Sequence, residues 1–314
     1  MPELSVVVAS HERPVRLRWL LNALSRQTLD RALWEVVVGD DSRSLNSHPL
    51  ADDGTLRWAH APAGAPVTPG ANRNRALALA RGRWVVFTDD DCRPPEAWLD
   101  QVWRAVQRNP DAVIQGPIEG DPEEAVRWHG PYPRSLYYQD VPRVWAECAN
   151  IVYPRALLER LGGFAEDMES GEDTELCCRA RALGTACVGE AAMGTYHAVQ
   201  ESSLLGHVRA ARKWQDLALL VRRHPDLREH MVLRAFWKPT HTWLPLALLG
   251  FGVAPRRPVS LALVVPWATR RRRRHRGLRG RLRHVVELPG WALIELAEMV
   301  ALVRGSIQHR SLLL

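Results

Sequence analysis

The chain has 314 residues, a formal net charge of +7 at pH 7, 46% hydrophobic residues and 25% charged residues. These values exclude a disordered chain and are sufficient for one large α/β domain with an appended region. The last third carries most of the positive charge, which indicates a polyanionic partner such as a lipid surface or a nucleic acid. The five cysteines form no CxxC pair, which predicts reduced thiols in a cytoplasmic protein without a zinc site. No charged leader precedes an apolar run, so no signal peptide is predicted.

The first forty residues predict a strand, a helix and a second strand. Leu4 to Ala9 is a continuous valine-rich run, which is typical of a buried strand. Leucines then recur at helical spacing after Pro14, and Glu35 to Gly39 is a second apolar run. A connection of this length between the two strands predicts a parallel βαβ unit.

The same alternation continues to residue 118. Thr68-Pro69 opens a predicted helix that reaches Ala80, and Trp84 to Thr88 is the next buried strand. Another helix follows Pro94-Pro95, and Ala112 to Ile118 is a further strand. We therefore predict an α/β fold with a doubly wound, mostly parallel sheet and a site at the carboxyl ends of its strands.

The second half of the chain is less regular. Trp145 to Tyr153 is a strand candidate, a short helix is expected from Pro154 to Leu161, and another from Glu172 to about Leu183. From about residue 200 the chain becomes helical and basic. We expect a catalytic domain over residues 1–205 and a helical basic region over residues 206–314.

Acidic residues follow two of the predicted strands directly. Asp89-Asp90-Asp91 ends one strand and Asp40-Asp41 ends another. Packed like charges are costly unless a cation neutralises them. Carboxylate oxygens on a short turn suit Mg²⁺ or Mn²⁺, which commonly also bind substrate phosphates. The triplet can also be a solvated acidic turn, but two clusters at neighbouring strand ends favour a nucleotide pocket.

A third acidic pair, Glu172-Asp173, opens the helix that ends near Leu183. A carboxylate at a helix N-terminus is stabilised as an anion. Asp173 is expected along the buried face of this helix and Glu172 off it. The position suits either a plain helix cap or a catalytic carboxylate.

Taken in order, the motifs of residues 4–200 resemble those of family-two glycosyltransferases with the GT-A fold. The matching pieces are Ser5-Val6-Val7-Val8-Ala9-Ser10-His11-Glu12-Arg13, Glu35-Val36-Val37-Val38-Gly39-Asp40-Asp41-Ser42, Gly70-Ala71-Asn72-Arg73-Asn74-Arg75-Ala76, Phe87-Thr88-Asp89-Asp90-Asp91, Leu161-Gly162-Gly163-Phe164, Gly171-Glu172-Asp173-Thr174-Glu175-Leu176 and Tyr196-His197. The resemblance implies an inverting enzyme that uses a nucleotide diphosphate sugar. The first motif departs from the family's usual Pro-Thr-Tyr-Asn-Arg, because Ala9-Ser10-His11 lacks the aromatic residue that stacks on the base.

The resemblance also implies roles for individual residues. Asp173 would be the catalytic base, and Mn²⁺ or Mg²⁺ would be held by Asp91 and His197. The nucleotide would be bound by a larger set: Ala9 and His11 at the base, Asp41 hydrogen-bonded to it, Arg73 on base or phosphate, Asp89 on the ribose side, and Asp90. His197 can equally be an ordinary surface histidine.

The predicted reaction transfers a sugar to an acceptor hydroxyl on a glycan or a lipid-linked saccharide of the cell envelope. One alternative is a nucleotidyltransferase that makes a nucleotide sugar, although residues 10–13 are not the Gly-rich basic loop it requires. Another is a nucleic-acid-binding protein using the run Arg270 to Arg274. Acidic clusters repel phosphate unless a metal is present, so no nucleic-acid partner is expected.

Two apolar stretches in the last third, Trp243 to Gly252 and Val259 to Trp267, are about ten residues each and too short to span a bilayer alone. With the arginine run and a helix from Val285 to Val303, they predict attachment to an anionic membrane surface at the inner face of the cell membrane. The alternatives are a soluble helical cap and a spanning helical hairpin.

Overall fold

The computed structural model describes residues 1–40, 54–62, 64–65, 67–127, 132–134, 138–201, 203–271 and 277–314. The chain divides into two compact units. The first contains Met1–Trp128 and Arg134–Gln200, and the second contains His129–Pro133 and Glu201–Leu314.

The first unit is an α/β structure built on a mostly parallel sheet. Its strands are β1 Leu4–Ser10, β2 Trp34–Asp40, β3 Leu56–His60, β4 Trp84–Asp89, β5 Cys92–Arg93, β6 Val113–Gln115, β7 Ile118–Gly120, β9 Ile151–Pro154, β10 Cys187–Gly189 and β11 Thr195–His197. The two-residue strands β8 Pro133–Arg134 and β12 Gln200–Glu201 each include one residue of either unit. Within the described residues, the main sheet has the order β10-β6-β9-β4-β1-β2-β3. Strand β9 is antiparallel to β4 and β6, and the other neighbours run parallel. This confirms the predicted α/β fold class.

Helices cover the sheet of the first unit. They are α1 Pro14–Ser25, α2 Pro69–Leu79, α3 Trp98–Arg108, α4 Pro122–Arg127, α5 Arg155–Leu161 and α6 Glu172–Ala182, with single 3₁₀ turns at Arg31–Leu33 and Cys148–Asn150. Strands β1, β2 and β4 are buried along almost their whole length. Two apolar layers form because alternate strand residues point to opposite faces: Val6 and Val36 belong to one core cluster, and Val7 and Val37 to the other.

Two predicted elements differ in detail. The strand expected over 112–118 is divided into β6 and β7, which belong to different sheets. The strand expected from Trp145 is shorter and begins at Ile151, after the 3₁₀ turn. In both places the hydrophobic run continues through a change of backbone direction that hydrophobicity does not encode.

The second unit is helical. Its α-helices are α7 Leu204–Ala210, α8 Asp216–Arg223, α9 Leu244–Val253, α10 Val265–Arg270 and the 33-residue α11 Gly277–His309, joined by 3₁₀ segments Ala211–Gln215, Pro225–His230 and Pro258–Val264. Leu244, Trp267 and Leu288 are central to a small apolar core between α9, α10 and α11. Within the part of the chain that the structure describes, no helix is both long enough and apolar enough to cross a membrane.

Candidate active site

The carboxyl ends of β1, β2 and β4 meet at one edge of the main sheet. Strand register places Ala9 beside Gly39 on one side and beside Asp89 on the other. A Cβ at Gly39 would lie 2.1 Å from the backbone oxygen of Asn72, so glycine is required for α2 to begin directly against β2. This close approach brings Arg73, the next residue of α2, to the same edge as Asp89.

Three side chains converge at this edge into a candidate metal site. Asp89, Asp91 and His197 each offer a ligand atom, and these atoms lie within 4.8 Å of one another. His197 is brought there by strand pairing, because β11 runs antiparallel to β5, which follows Asp91 immediately. Its Nε2 lies 3.2 Å from Asp91 Oδ1.

The chemistry of this donor set suits a hard or borderline divalent cation. Two carboxylates and one imidazole are ligands that Mn²⁺ accepts, and carboxylates also bind Mg²⁺. His197 Nδ1 lies 3.0 Å from the carbonyl oxygen of Ala198, which can only accept a hydrogen bond. Nδ1 therefore carries a hydrogen, and Nε2 faces Asp91, where it can act as a metal ligand once it is deprotonated. The site thus adds Asp89 to the two metal ligands predicted from the sequence.

Electrostatics indicate a strong excess of negative charge in the cluster. Burial alone would lower the pKa of His197, but the hydrogen bond and the charge of Asp91 raise it to about 9. The imidazole is therefore a cation at neutral pH and neutralises Asp91. A divalent cation would replace that proton.

Asp90, the middle residue of the triplet, points into protein. Its Oδ2 accepts a hydrogen bond from Ser10 Oγ at 2.9 Å, and its Oδ1 lies 3.2 Å from the guanidinium of Arg13. Burial raises the pKa of Asp90 to about 7, although the charge of Arg13 opposes the shift. Arg13 also reaches Asp91 Oδ2 at 3.1 Å. Arg13 therefore bridges two residues of the triplet, and the predicted contact of Asp90 with a nucleotide remains a prediction.

Arg73 is buried and bridges two carboxylates. Its guanidinium donates to Asp89 Oδ1 at 2.8 Å and also to Glu172 Oε1. A buried guanidinium requires such partners, because unpaired burial of a charge is very costly. In this arrangement Arg73 fixes Asp89, and its contact with a base or phosphate remains a prediction.

The expectation that Glu172 lies off the buried face of α6 is wrong, and nothing contradicts the expected position of Asp173 near the edge of that face. Glu172 is 5% exposed, whereas Asp173 is partly exposed. The physical reason is Arg73, a buried cation on another helix that stabilises the Glu172 carboxylate. Helical periodicity cannot reveal such a partner.

Asp173 lies at the start of α6 with its carboxylate held from two sides. Oδ2 accepts from the backbone N–H of Cys148 at 3.2 Å, and Oδ1 accepts from the N–H of Thr174 at 2.8 Å. Burial and the negative charge of Glu172 raise the pKa of Asp173 to about 8, although Arg73 opposes the shift. A carboxyl group with a pKa near neutrality can accept a proton from a bound hydroxyl.

The predicted contacts of His11 and Asp41 with the base remain predictions. His11 follows β1 and is exposed. Asp41 lies outside the described residues, and Asp40, the last residue of β2, is buried. The sequence reasoning missed Ser10, Arg13 and Glu172 as organisers of the site, although all three lie within the recognised motifs. Their proximity to carboxylates on other elements could not be read from those motifs.

Known proteins with similar sequences are sugar transferases. The sequence model of glycosyl transferase family 2 matches residues 5–161. The chain is 26% identical over 281 residues to validoxylamine A glucosyltransferase of Streptomyces hygroscopicus subsp. jinggangensis (strain 5008), covering 77% of this chain and 64% of that protein. It is 27% identical over 211 residues to pre-mycofactocin glycosyltransferase of Mycobacterium tuberculosis (strain ATCC 25618 / H37Rv), covering 63% of this chain and 43% of that protein. The aligned part is therefore less than two thirds of each relative.

Two solved structures are similar to this chain in fold. Mannosyltransferase PcManGT from Pyrobaculum calidifontis, in complex with GDP-Man and Mn²⁺, matches with a TM-score of 0.56 and 16% identity, over 98% of this chain and 87% of that chain. S. aureus TarS 1–349, in complex with UDP-GlcNAc, matches with a TM-score of 0.54 and 17% identity, over 99% of this chain and 93% of that chain. At these identities the likeness shows the fold alone. Because the family model matches half of the chain, the chain belongs to glycosyl transferase family 2, and its fold is of the GT-A type.

Proposed function

We propose that the chain is an inverting, metal-dependent glycosyltransferase that moves a sugar from a nucleotide diphosphate to an acceptor hydroxyl. The observation that carries the proposal is the convergence of Asp89, Asp91 and His197 at the edge of the sheet. Asp173 is linked to this cluster through Arg73, which contacts Asp89 and interacts electrostatically with Asp173. The relatives named above act on sugars, and two structural neighbours contain GDP-Man and UDP-GlcNAc. Family membership favours this reaction over the nucleotidyltransferase and nucleic-acid-binding alternatives.

The chain's own residues supply binding, orientation and proton transfer. Asp89, Asp91 and His197 would hold Mn²⁺ or Mg²⁺, which when bound offsets the negative charge of a leaving diphosphate. Arg73 keeps Asp89 in position, and the Asp90 carboxyl group is fixed by Ser10 and Arg13. Asp173 accepts the proton of the acceptor hydroxyl as that oxygen attacks the anomeric carbon. A single displacement of this kind inverts the anomeric configuration.

Titration calorimetry with UDP and GDP tests this proposal. Binding is expected with Mn²⁺ and is expected to vanish in EDTA. Equal affinity in both solutions would contradict the metal assignment. The stereochemistry is tested separately, by determining the anomeric configuration of the product with a nucleotide sugar that the calorimetric screen identifies.

We further propose that the second unit attaches the enzyme to an anionic membrane at the inner face of the cell membrane, near an envelope acceptor. Helix α11 provides the main support. Seven of its exposed apolar residues form an outward stripe along one face, with spacings of three, four or, once, seven residues: Leu282, Val286, Leu293, Leu296, Val300, Val303 and Ile307. Val286 is 79% exposed and Ile307 is 75% exposed. An apolar face of this length indicates an interaction surface.

The acidic residues of α11 point the other way. Glu287, Glu295 and Glu298 are all buried. Glu298 accepts hydrogen bonds from Lys238 Nζ at 2.6 Å and from His241 Nε2 at 3.3 Å. This distribution is the reverse of a helix that faces water. It removes carboxylates from the outward stripe, so the surface suits lipid with negatively charged headgroups.

Sedimentation of the full-length protein with liposomes tests this attachment. Binding to phosphatidylserine-containing vesicles is expected to exceed binding to phosphatidylcholine vesicles and to weaken with salt. Protein that stays monodisperse without detergent and ignores both vesicles would identify the second unit as a soluble cap. The proposed division into a catalytic region of residues 1–205 and a membrane-associated region of residues 206–314 depends on the same result.

A further inference from the structure

The glycosyl-transfer site makes no use of two thiols that lie side by side in the first unit. Cys177 belongs to the second turn of α6, and Cys187 is the first residue of β10. Their Sγ atoms are 3.9 Å apart. They are ten positions apart in the chain, which reverses between them through Gly184 with a φ of +78°.

The two thiols differ in accessibility. Cys177 is fully buried, whereas Cys187 is partly exposed on the edge strand of the main sheet. Cys187 is therefore the member of the pair that solvent can approach. Cys177 is placed behind it, where only Cys187 is available as a sulfur partner among the contacts described for its thiol.

A fixed positive charge lies beside the accessible thiol. The guanidinium of Arg181 is held by the carbonyl oxygens of Val144 at 3.0 Å and Arg143 at 2.6 Å. The hydrogen bond with Cys177 lowers the pKa of Cys187, and Arg181 lowers it further against the effect of burial, to about 6. Burial raises the pKa of Cys92 and of Cys148. Thiolate character and access thus coincide at Cys187.

We propose that Cys177 and Cys187 form a redox-active dithiol in which Cys187 reacts with hydroperoxides and Cys177 resolves the product. In the first step the Cys187 thiolate attacks one peroxide oxygen, the O–O bond breaks, and the other oxygen leaves as alcohol or water after taking up a proton. Cys187 becomes a sulfenic acid. In the second step the Cys177 sulfur attacks Cys187 Sγ, an S–S bond forms, the S–O bond breaks, and water leaves with the Cys177 proton.

The peroxide is the only oxidant that this reaction needs. The two cysteines together lose two electrons, and the peroxide gains them. The reaction is independent of the proposed sugar transfer. It is compatible with thiols that are reduced at rest, because disulfides in reducing compartments are commonly transient and redox-sensing. The resulting bond would join α6, which carries Asp173 one turn earlier, to the edge strand.

Peptide mapping of the reduced full-length protein after treatment with hydrogen peroxide tests the proposal. Arg179 and Arg181 lie between the two cysteines, so trypsin separates their peptides unless a disulfide joins them. A Cys177–Cys187 linked peptide is expected. In Cys177→Ser, dimedone is expected to trap a sulfenic acid on Cys187, and Cys187→Ser is expected to slow peroxide-dependent thiol loss at least about tenfold.

Cys178→Ser is the matched control, because Cys178 is adjacent to Cys177 and also buried. It is expected to leave both the linked peptide and the reaction rate unchanged. A disulfide that involves Cys178, or equal thiol loss in Cys187→Ser and the unmodified chain, would overturn the proposal. Circular dichroism of each serine variant verifies that the chain is folded, so loss of the reaction is separable from loss of structure.

Discussion

Both units bury carboxylates, but the pKa values of these carboxylates are shifted in opposite directions. In the first unit, burial raises the pKa of Asp90 to about 7, and burial with the charge of Glu172 raises that of Asp173 to about 8. In the second unit, burial would also raise the pKa of Glu298, but the hydrogen bond from His241 and the charge of Lys238 lower it to about 2. In the first arrangement the negative charge is poorly compensated, so these carboxyl groups retain protons near neutral pH, which suits proton transfer and displacement of protons by a cation. The second compensates the charge and thereby stabilises the fold.

Replacing a proposed metal ligand tests the first arrangement most severely. Asp91→Asn is expected to lower Mn²⁺-dependent nucleotide binding by at least about a hundredfold, since even outer-shell partners commonly contribute about 10- to 100-fold to metal affinity. Calorimetry with Mn²⁺ and with EDTA measures this. Asp111→Asn is the control, because Asp111 is exposed and lies outside the cluster. Unchanged Mn²⁺-dependent affinity in Asp91→Asn would contradict the assignment.

The pH dependence of Mn²⁺ affinity tests whether His197 is a metal ligand in the first unit. The pKa of His197 is raised to about 9, and the imidazole must lose its proton before Nε2 can bind a metal. Protons therefore compete with Mn²⁺ below about pH 9. Mn²⁺ affinity is expected to rise with pH up to that value, and proton release on binding is expected at neutral pH. An affinity that is constant between pH 6 and 9, within about a factor of two, would exclude His197 as a ligand.

Substitutions at Asp173 and Glu172 distinguish a role in proton transfer from a role in holding Arg73 in place. Asp173→Asn is expected to lower kcat by roughly two orders of magnitude while donor binding stays nearly intact. Because the folded pKa of Asp173 is about 8, kcat is expected to rise as pH increases through that value. Glu172→Gln instead removes a carboxylate from Arg73, so its main effect is expected on donor affinity. A larger loss of kcat in Glu172→Gln than in Asp173→Asn would reverse the assignment.

A substitution at Glu298 tests whether the paired carboxylate of the second unit stabilises the fold. Glu298→Gln is expected to lower the free energy of unfolding by on the order of 2 kcal/mol, because buried His241 and Lys238 lose their carboxylate partner. Urea titration followed by tryptophan fluorescence measures the change. Glu229→Gln is the control and is expected to cost less than about 1 kcal/mol, since the pair of Glu229 with Arg234 is exposed.

The acid dependence of stability gives the sign of this contribution. The folded pKa of Glu298 lies below its ordinary value of 4.5. Its stabilisation is therefore complete above about pH 4.5 and is lost as pH falls toward about 2. Glu298→Gln is expected to flatten the stability profile in that window. A variant with the same acid sensitivity as the unmodified chain would contradict the role of this carboxylate.

The smallest effect is expected on the outward stripe. Val286→Glu places a carboxylate on a face without exposed acidic residues over residues 282–310, and it is expected to weaken partitioning onto anionic liposomes by about tenfold. Val15→Glu is the matched control, because Val15 is also an exposed valine on a helix, at 62% exposure, but belongs to the first unit. Equal partitioning of the two variants would remove the stripe from the membrane proposal.

Sequence alone determined the elements whose signal is local. The strands near residues 4, 35 and 84 were predicted within a residue or two, because buried parallel strands are continuous apolar runs. The metal-ligand candidates Asp91 and His197 came from the order of family motifs, and the structure brings them within 3.2 Å of each other. Tertiary structure alone decided which way Glu172 and Asp173 point, that Asp89 lies beside the candidate metal ligands Asp91 and His197, that Cys177 meets Cys187, and that α11 buries its acids. These properties depend on partners distant in the chain. A buried charge takes the orientation in which another element can pair with it, and no local periodicity specifies where that element will lie.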